Sequence, residues 1–369
     1  MLRLLLVTLL HLSDYHSHAL PFYTDAGERG GIARAIHYLR EEKRNGALIF
    51  SGGDTINKGA PAWSDKYVCT EWPWFNGIVD AMAFGNHDPD YGPEEFDRCR
   101  RTVRYPILSA NTDGFRSYVV LQREGIRIGV FALAGPDFPQ LVKVGGFTFG
   151  DPIAAARKAV QTLREKEHVD VVVMIGHQHT EEDYTLAKAV PGIDLIFGSH
   201  SHEKHELTRI PGTQTWFIAP GQYLEAISRV DLTFDGKRIQ HVRGELVTVD
   251  SSLQEDRRIA RKVAEMQRAL ELDPDYAELF EPIGELERPL STEQVAQRAL
   301  DTMRKVANAD IAISTTSSFR GALASGTLTL EALRAAMPYD NEIVVCTMSG
   351  ALLEELRKES YVAGQYGKE

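Results

Sequence analysis

Five short apolar runs, all before residue 200, give way to Asp, Asn or His, and that coincidence constrains the fold more than any other feature of the chain. Residues 4–10 lead to Asp14 and His16, residues 47–50 to Asp54, and residues 81–84 to Asn86 and His87. Residues 171–175 lead to His177, and residues 195–197 to His200 and His202. Runs this short, continuous and apolar predict strands buried on both faces. Ligands of layered α/β sheets gather at the carboxyl ends of strands, so one site assembled from five strand ends is expected. Helical spacing of Ile32, Ala35, Ile36 and Leu39 predicts a helix over 31–43, and another is expected over 152–167. Further strands are expected at 107–109, 128–133, 216–219 and 230–234.

The residue types define the chemistry. Each motif alone has a bland reading: Gly85-Asn86-His87-Asp88 as an ordinary turn, any single histidine as a core or surface residue. Together they supply two carboxylates, one amide and four imidazoles: Asp14, Asp54, Asn86, His16, His177, His200 and His202. Asp14-x-His16 and His200-x-His202 have the spacing that puts both side chains on one face of extended backbone. Seven ligands exceed one tetrahedral ion and suit two divalent ions about 3.5–4 Å apart, bridged by a carboxylate, for attack on phosphorus. Nitrogen and oxygen donors without thiolate fit zinc, manganese or iron. A glycine at position 85 allows a sharp turn from which Asn86 and His87 diverge. His87 is expected to face the substrate, with Asp88 or Asp90 as the carboxylate behind it. His179 and His205 are read as supporting the ligands or facing solvent.

Composition narrows the partners. At 369 residues, 43% hydrophobic and 25% charged, the chain has globular proportions and room for more than one domain. A net charge of −11 argues against nucleic acid or an anionic membrane as the main partner. Two bound cations would reverse the repulsion of a phosphate ester locally. The run at 2–10 lacks a cleavage site and leads directly into Ser13-Asp14, so it is read as a core strand rather than a signal peptide, and no segment is long enough to span a bilayer. Cys69, Cys99 and Cys346 are read as isolated thiols, with a Cys69–Cys99 bridge left open. Aromatic residues at 67–78 either pack a loop or wall a cleft.

The ordered set Asp14-Tyr15-His16, Gly53-Asp54, Gly85-Asn86-His87-Asp88, Gly176-His177 and His200-Ser201-His202 closely resembles the calcineurin-like metallophosphoesterases. Asn86 to Gly92 and Ser109-Ala110-Asn111 look like the 5′-nucleotidase branch, which includes cyclic-nucleotide phosphodiesterases. The resemblance implies a layered α/β β-sandwich core flanked by helices over 1–250, a linker helix in 251–281, and a partial α+β substrate-binding domain over 282–369. In that last region helices are expected at 292–306 and 329–336, and strands at 309–314 and 342–347. It implies that Asp14, His16, Asp54 and His202 hold one ion and Asp54, Asn86, His177 and His200 the other. It further implies that His87 pairs with Asp90, and that a hydroxide bridging the ions attacks a small phosphate monoester such as a nucleotide. Asn111 and Arg320 become substrate contacts, while Tyr339 stacks on a base and Asn341 hydrogen-bonds it. Residues 315–319 depart from the family's glycine-rich turn, and a second stacking aromatic is missing, so base recognition is expected to be weak. The branch implies a periplasmic or extracellular site, and oligomeric state is not encoded.

Overall fold

The computed structural model describes residues 4–59, 61–315, 318–339 and 341–362, with side chains described as far as 358. The strands are β1 (Leu5–Leu12), β2 (Pro21–Thr24), β3 (Gly27–Gly30), β4 (Leu48–Ser51), β5 (Ala81–Ala83), β6 (Ile107–Leu108), β7 (Tyr118–Arg123) and β8 (Ile126–Ala134). They continue as β9 (Val171–His177), β10 (Leu195–Phe197), β11 (Lys204–Arg209), β12 (Trp216–Pro220), β13 (Ala226–Asp235), β14 (Arg238–Thr248), β15 (Pro282–Leu286) and β16 (Gly326–Thr329). The chain divides into two compact units, one made of residues up to Pro21, Arg29–Lys58 and Trp63–Glu265, the other of Phe22–Glu28, Gly59–Ala62 and everything from Met266.

Two six-stranded sheets, ordered β14-β13-β1-β4-β5-β6 and β11-β12-β10-β9-β8-β7, build the first unit. Its central strands run parallel: β1, β4, β5 and β6 in one sheet, β8, β9, β10 and β12 in the other. All five ligand-bearing strands therefore end on the same side of their own sheet. Strand periodicity divides the side chains between two cores. Val171, Val173 and Ile175 of β9 join Val7, Leu9 and Phe50 between the sheets, whereas Val172 and Met174 face Ala156, Leu163 and Leu186 of the outer helices. The helix Ile32–Arg44 forms as the spacing predicts, and the helix from Pro152 is α-helical to Gln161 before a single π-helical stretch at Thr162–Lys166. Strands β7, β11 and β14 were not legible in the sequence, because their mixed polar and apolar residues follow an edge-strand pattern rather than a continuous apolar one.

Two expectations about this unit are corrected or settled. Cys69 and Cys99 are disulfide-bonded, not isolated thiols: the turn at Trp72 and the helix Pro93–Arg100 carry their Cα atoms to 5.3 Å, a proximity across 30 residues that spacing does not reveal. Trp72, Trp74 and Phe75 are buried, so the aromatic segment packs a loop.

In the second unit the helix Thr292–Val306 starts at a capping box in which the Ser291 hydroxyl accepts from Gln294 N, and the helix Leu330–Ala336 follows as expected. Leu290, Val295, Leu323 and Ala336 form a small core under the β15–β16 ladder. The strands expected at 309–314 and 342–347 are absent. Ile311, Ile313, Ile343, Val344 and Val345 lie exposed, because β-propensity expresses itself only where a neighbouring strand and a covering layer are supplied.

Candidate metal centre

Asp14, His16, Asp54, His200 and His202 all adopt left-handed backbone, with φ between 48° and 65°. Non-glycine residues pay about 1–3 kcal/mol each for such conformations, which concentrate at functional sites. This corrects the extended-backbone argument for the Asp14-x-His16 and His200-x-His202 spacings: the loops coil after the strands end. Cross-loop hydrogen bonds hold the first coil, from Asp14 N to Gly53 O at 3.2 Å, His16 N to Asp54 O at 2.9 Å and Ser17 N to Thr55 O at 2.9 Å. Gly85 is also not a turn residue of positive φ. A Cβ there would lie 2.2 Å from Asp54 Oδ1, so glycine is needed for the close approach of that carboxylate.

The ligand atoms fall into two clusters, Asp14 with His16 and His202, and Asp54 with His177 and His200. His16 Nε2 lies 3.0 Å from His202 Nε2, and His202 Nε2 lies 3.4 Å from Asp14 Oδ1. In the second cluster His177 Nε2 lies 3.1 Å from Asn86 Oδ1 and 3.2 Å from Asp54 Oδ2. The same Asp54 oxygen is 3.7 Å from His16 Nε2, which makes Asp54 common to both. Backbone carbonyls orient two of the rings: His16 Nδ1 donates to Ile56 O at 3.2 Å and His177 Nδ1 to Gly52 O at 2.6 Å, turning each Nε2 toward the carboxylates.

Burial sets the charge states unequally. It would raise Asp54, but His177, His87 and His16 together outweigh it and hold the carboxyl well below its ordinary range. Conversely burial would lower His177, and Asp54 together with Asp14 and the Gly52 carbonyl overrides this to push the imidazole up to about 10. Burial prevails at His16, which is held well below its usual value. Imidazole ligates a cation in its neutral form, so cation affinity at the second cluster is linked to pH.

His87 Nδ1 donates to Asp90 Oδ2 at 2.8 Å. Asp88 is occupied elsewhere, accepting from Thr55 N at 2.9 Å and Gly85 N at 2.8 Å, and burial pushes its carboxyl up to about 7. The geometry thus separates the two carboxylates that the residue spacing left open. His87 N also donates to Asp54 Oδ1 at 2.7 Å, which leaves Oδ2 as the oxygen shared between clusters.

Asn111, expected as a substrate contact, donates through its side chain to Ala134 O at 2.8 Å and accepts from Ala134 N at 2.9 Å, a clamp on the end of β8. His205 pairs with Glu203 at 2.9 Å. Asp137 was missed: its carboxylate reaches His200 Nε2 at 2.9 Å and His179 Nε2 at 3.4 Å. The rule that found the other five strand ends would have found it, since Gly135-Pro136-Asp137 follows the apolar β8. His11 was missed too. It is fully buried with neither ring nitrogen hydrogen-bonded, stacks on Phe197 at 4.9 Å, and burial drives its pKa down to about 3.

In the second unit the Arg320 guanidinium sits over the Tyr339 ring at 5.0 Å and donates to its hydroxyl. Phe319, Tyr339 and Asn341 line an apolar cavity of about 540 Å³. Asp340, beside Tyr339 and Asn341, and Thr316 and Ser317 within 315–319 lie outside the described residues.

The mixed sandwich gathers a set of nitrogen and oxygen donors at its parallel strand ends. Residues 7–204 match the calcineurin-like phosphoesterase family, and the chain belongs to it. Residues 285–367 match the 5′-nucleotidase C-terminal domain. Among curated relatives, the trifunctional nucleotide phosphoesterase YfkN of Bacillus subtilis is 25% identical over 95% of this chain but only 27% of its own length. UshA of Escherichia coli is 24% identical over 93% of this chain and 74% of its own. A 5′-nucleotidase of Vibrio cholerae is 32% identical over 53% of this chain and 40% of its own. Among solved structures, a 5′-nucleotidase precursor from Thermus thermophilus superposes with TM-score 0.74 at 21% identity, covering 90% of this chain and 74% of that one. The sulfate thiohydrolase SoxB from the same genus reaches 0.73 at 20%, covering 89% and 73%, so the fold by itself serves more than one chemistry. No described helix is long and apolar enough to cross a membrane.

Proposed function

We propose that the chain is a dinuclear-metal phosphohydrolase that cleaves phosphate monoesters, with nucleotides as its substrates. Asp54 carries this reading, because its Oδ2 lies within 3.7 Å of an imidazole nitrogen in each cluster. The donor set fits divalent zinc, manganese or iron: the donors are nitrogen and oxygen, and two rings already present Nε2 through bonds to carbonyls. Asp14, His16, Asp54 and His202 would hold the first ion, and Asp54, Asn86, His177 and His200 the second. Such ions supply positive charge for the phosphoryl oxygens and a water of pKa about 7.

The chain's own residues do the rest. Asp90 accepts the Nδ1 proton of His87 and so holds the imidazole in one tautomer, with Nε2 on the far side of the ring. From there His87 donates to the substrate, protonating the leaving oxygen or stabilising charge on the phosphoryl group. Catalysis is assigned to residues 1–250, connection to 251–281, and substrate recognition to 282–369 through Arg320, Tyr339 and Asn341. The nucleotide assignment rests on the matched C-terminal domain and on the names of the relatives. The Cys69–Cys99 disulfide supports a periplasmic or extracellular location.

Metal analysis of the reconstituted chain, with kcat/KM for adenosine monophosphate, an aryl phosphomonoester and an aryl phosphodiester, tests the proposal. Two ions per chain and preference for monoesters are expected. One ion or none refutes the dinuclear centre, and preference for the diester refutes the substrate class.

A further inference from the structure

The imidazoles of the centre are not all held in the same way. His16 and His177 each donate Nδ1 to a neutral backbone carbonyl. His200 instead has its Nε2 engaged, 2.9 Å from Asp137 Oδ2. The loop that carries Asp137 is tied to the ligand strand itself, since Gly135 N donates to His177 O at 2.9 Å. Phe138, the next residue, is fully buried and packs against His177 and His200 at ring separations of 5.7 Å and 6.2 Å. Gly135 leaves room for the carboxylate, as a Cβ there would lie 2.6 Å from Asp137 Oδ1. One short loop thus supplies both a wall and an acceptor to the same ring.

We propose that Asp137 is a positioning residue of the metal centre: it accepts the Nε2 proton of His200, fixes that tautomer, and so makes Nδ1 the nitrogen that coordinates the second ion. The inference rests on the dinuclear reading above. A carboxylate acceptor polarises an imidazole more than a carbonyl does, so the second ion depends on Asp137 where the first does not. His179, half-exposed, touches the same oxygen at 3.4 Å.

The test is zinc titration of the metal-free full-length chain against a chromophoric chelator, for wild type, Asp137→Ala, Asp137→Asn and His179→Ala. Asp137→Ala should weaken one of two zinc ions by about 10- to 100-fold and leave the other nearly unchanged. Asp137→Asn, whose amide oxygen still accepts from Nε2–H, should lose less, and an unchanged melting temperature for this variant excludes misfolding as the cause. Long-range ¹H–¹⁵N correlation should show one zinc-loaded histidine with protonated Nε2 in wild type and in Asp137→Asn, a signature that a merely structural role would not produce. Equal weakening of both ions, or of neither, overturns the inference while leaving the dinuclear centre intact. A third zinc in wild type that His179→Ala removes overturns it as well, because Asp137 is then itself a ligand. If wild type binds fewer than two ions, the dinuclear reading falls and the inference with it.

Discussion

Val171-Val172-Val173 and Ile343-Val344-Val345 are nearly the same sequence with opposite fates. The first is completely buried as β9, with β8 paired on one side and β10 on the other. The second makes no ladder, and Val344 is 81% exposed. Intrinsic propensity is equal, so the difference lies in the surroundings: the first unit brings two partner strands and two covering layers to its run, and the second brings none among the described residues. The same contrast extends to polar groups. In the first unit, left-handed loops are stitched to one another around the carboxylates, while in the second the Arg320 guanidinium lies over the exposed Tyr339 ring and donates to its hydroxyl.

The sharpest way to break this contrast is inside the first unit. Asp54→Asn should cost both ions at once and reduce phosphatase turnover to background, as read by metal analysis and kcat. His87→Ala should keep both ions yet lower kcat by about 10²- to 10⁴-fold, the usual worth of a general acid. Loss of metal from the His87 variant would show that the ring is a ligand.

Covalent reinforcement separates the units next. Breaking the bridge with Cys69→Ser opens a loop of 30 residues and should lower stability by about 3–4 kcal/mol in chemical denaturation. Cys346 is exposed and unbridged, and Cys346→Ser should shift stability by less than about 0.5 kcal/mol. Comparable losses from the two changes would erase the distinction.

A buried acid in the first unit gives a pH signature. Glu71 is fully buried, accepts from the Tyr15 hydroxyl, and burial raises its pKa from 4.5 to about 7. The folded state therefore holds a proton that the unfolded state releases. This stability is fully present below pH 4.5 and is lost as pH rises through 7, on the order of 3 kcal/mol in all. Glu71→Gln keeps an acceptor for Tyr15 and should flatten that part of the stability profile. An unchanged slope in denaturation between pH 5 and 8 would show that another group carries it.

The smallest effect is expected in the second unit. Because the guanidinium of Arg320 covers one face of Tyr339, Tyr339→Ala should change kcat/KM for adenosine monophosphate, relative to an aryl phosphate, by less than about 5-fold, the low end for one stacked base. Strong nucleotide selectivity abolished by this change would instead make the ring a full base platform.

The sequence by itself determined the strand ends that carry ligands, the nitrogen and oxygen character of the centre, and the helices at 32–44 and 292–306. These follow from local periodicity and side-chain chemistry, which a chain displays within a window of a few residues. Residue spacing did not determine which histidine joins which cluster, a division that only the family resemblance implied: His16 meets His202 across 186 positions, and His200 and His202, one residue between them, part to opposite clusters. Nor did the residue spacing alone settle the choice of Asp90 over Asp88 behind His87, the bridge between Cys69 and Cys99, or the engagement of His200 by Asp137. Those were decided by sheet order and by coiled, left-handed loops, where the backbone hydrogen bonds of one loop set the direction of side chains in another. Such pairings have no local signature, because the energy that selects them is shared between segments far apart in the chain.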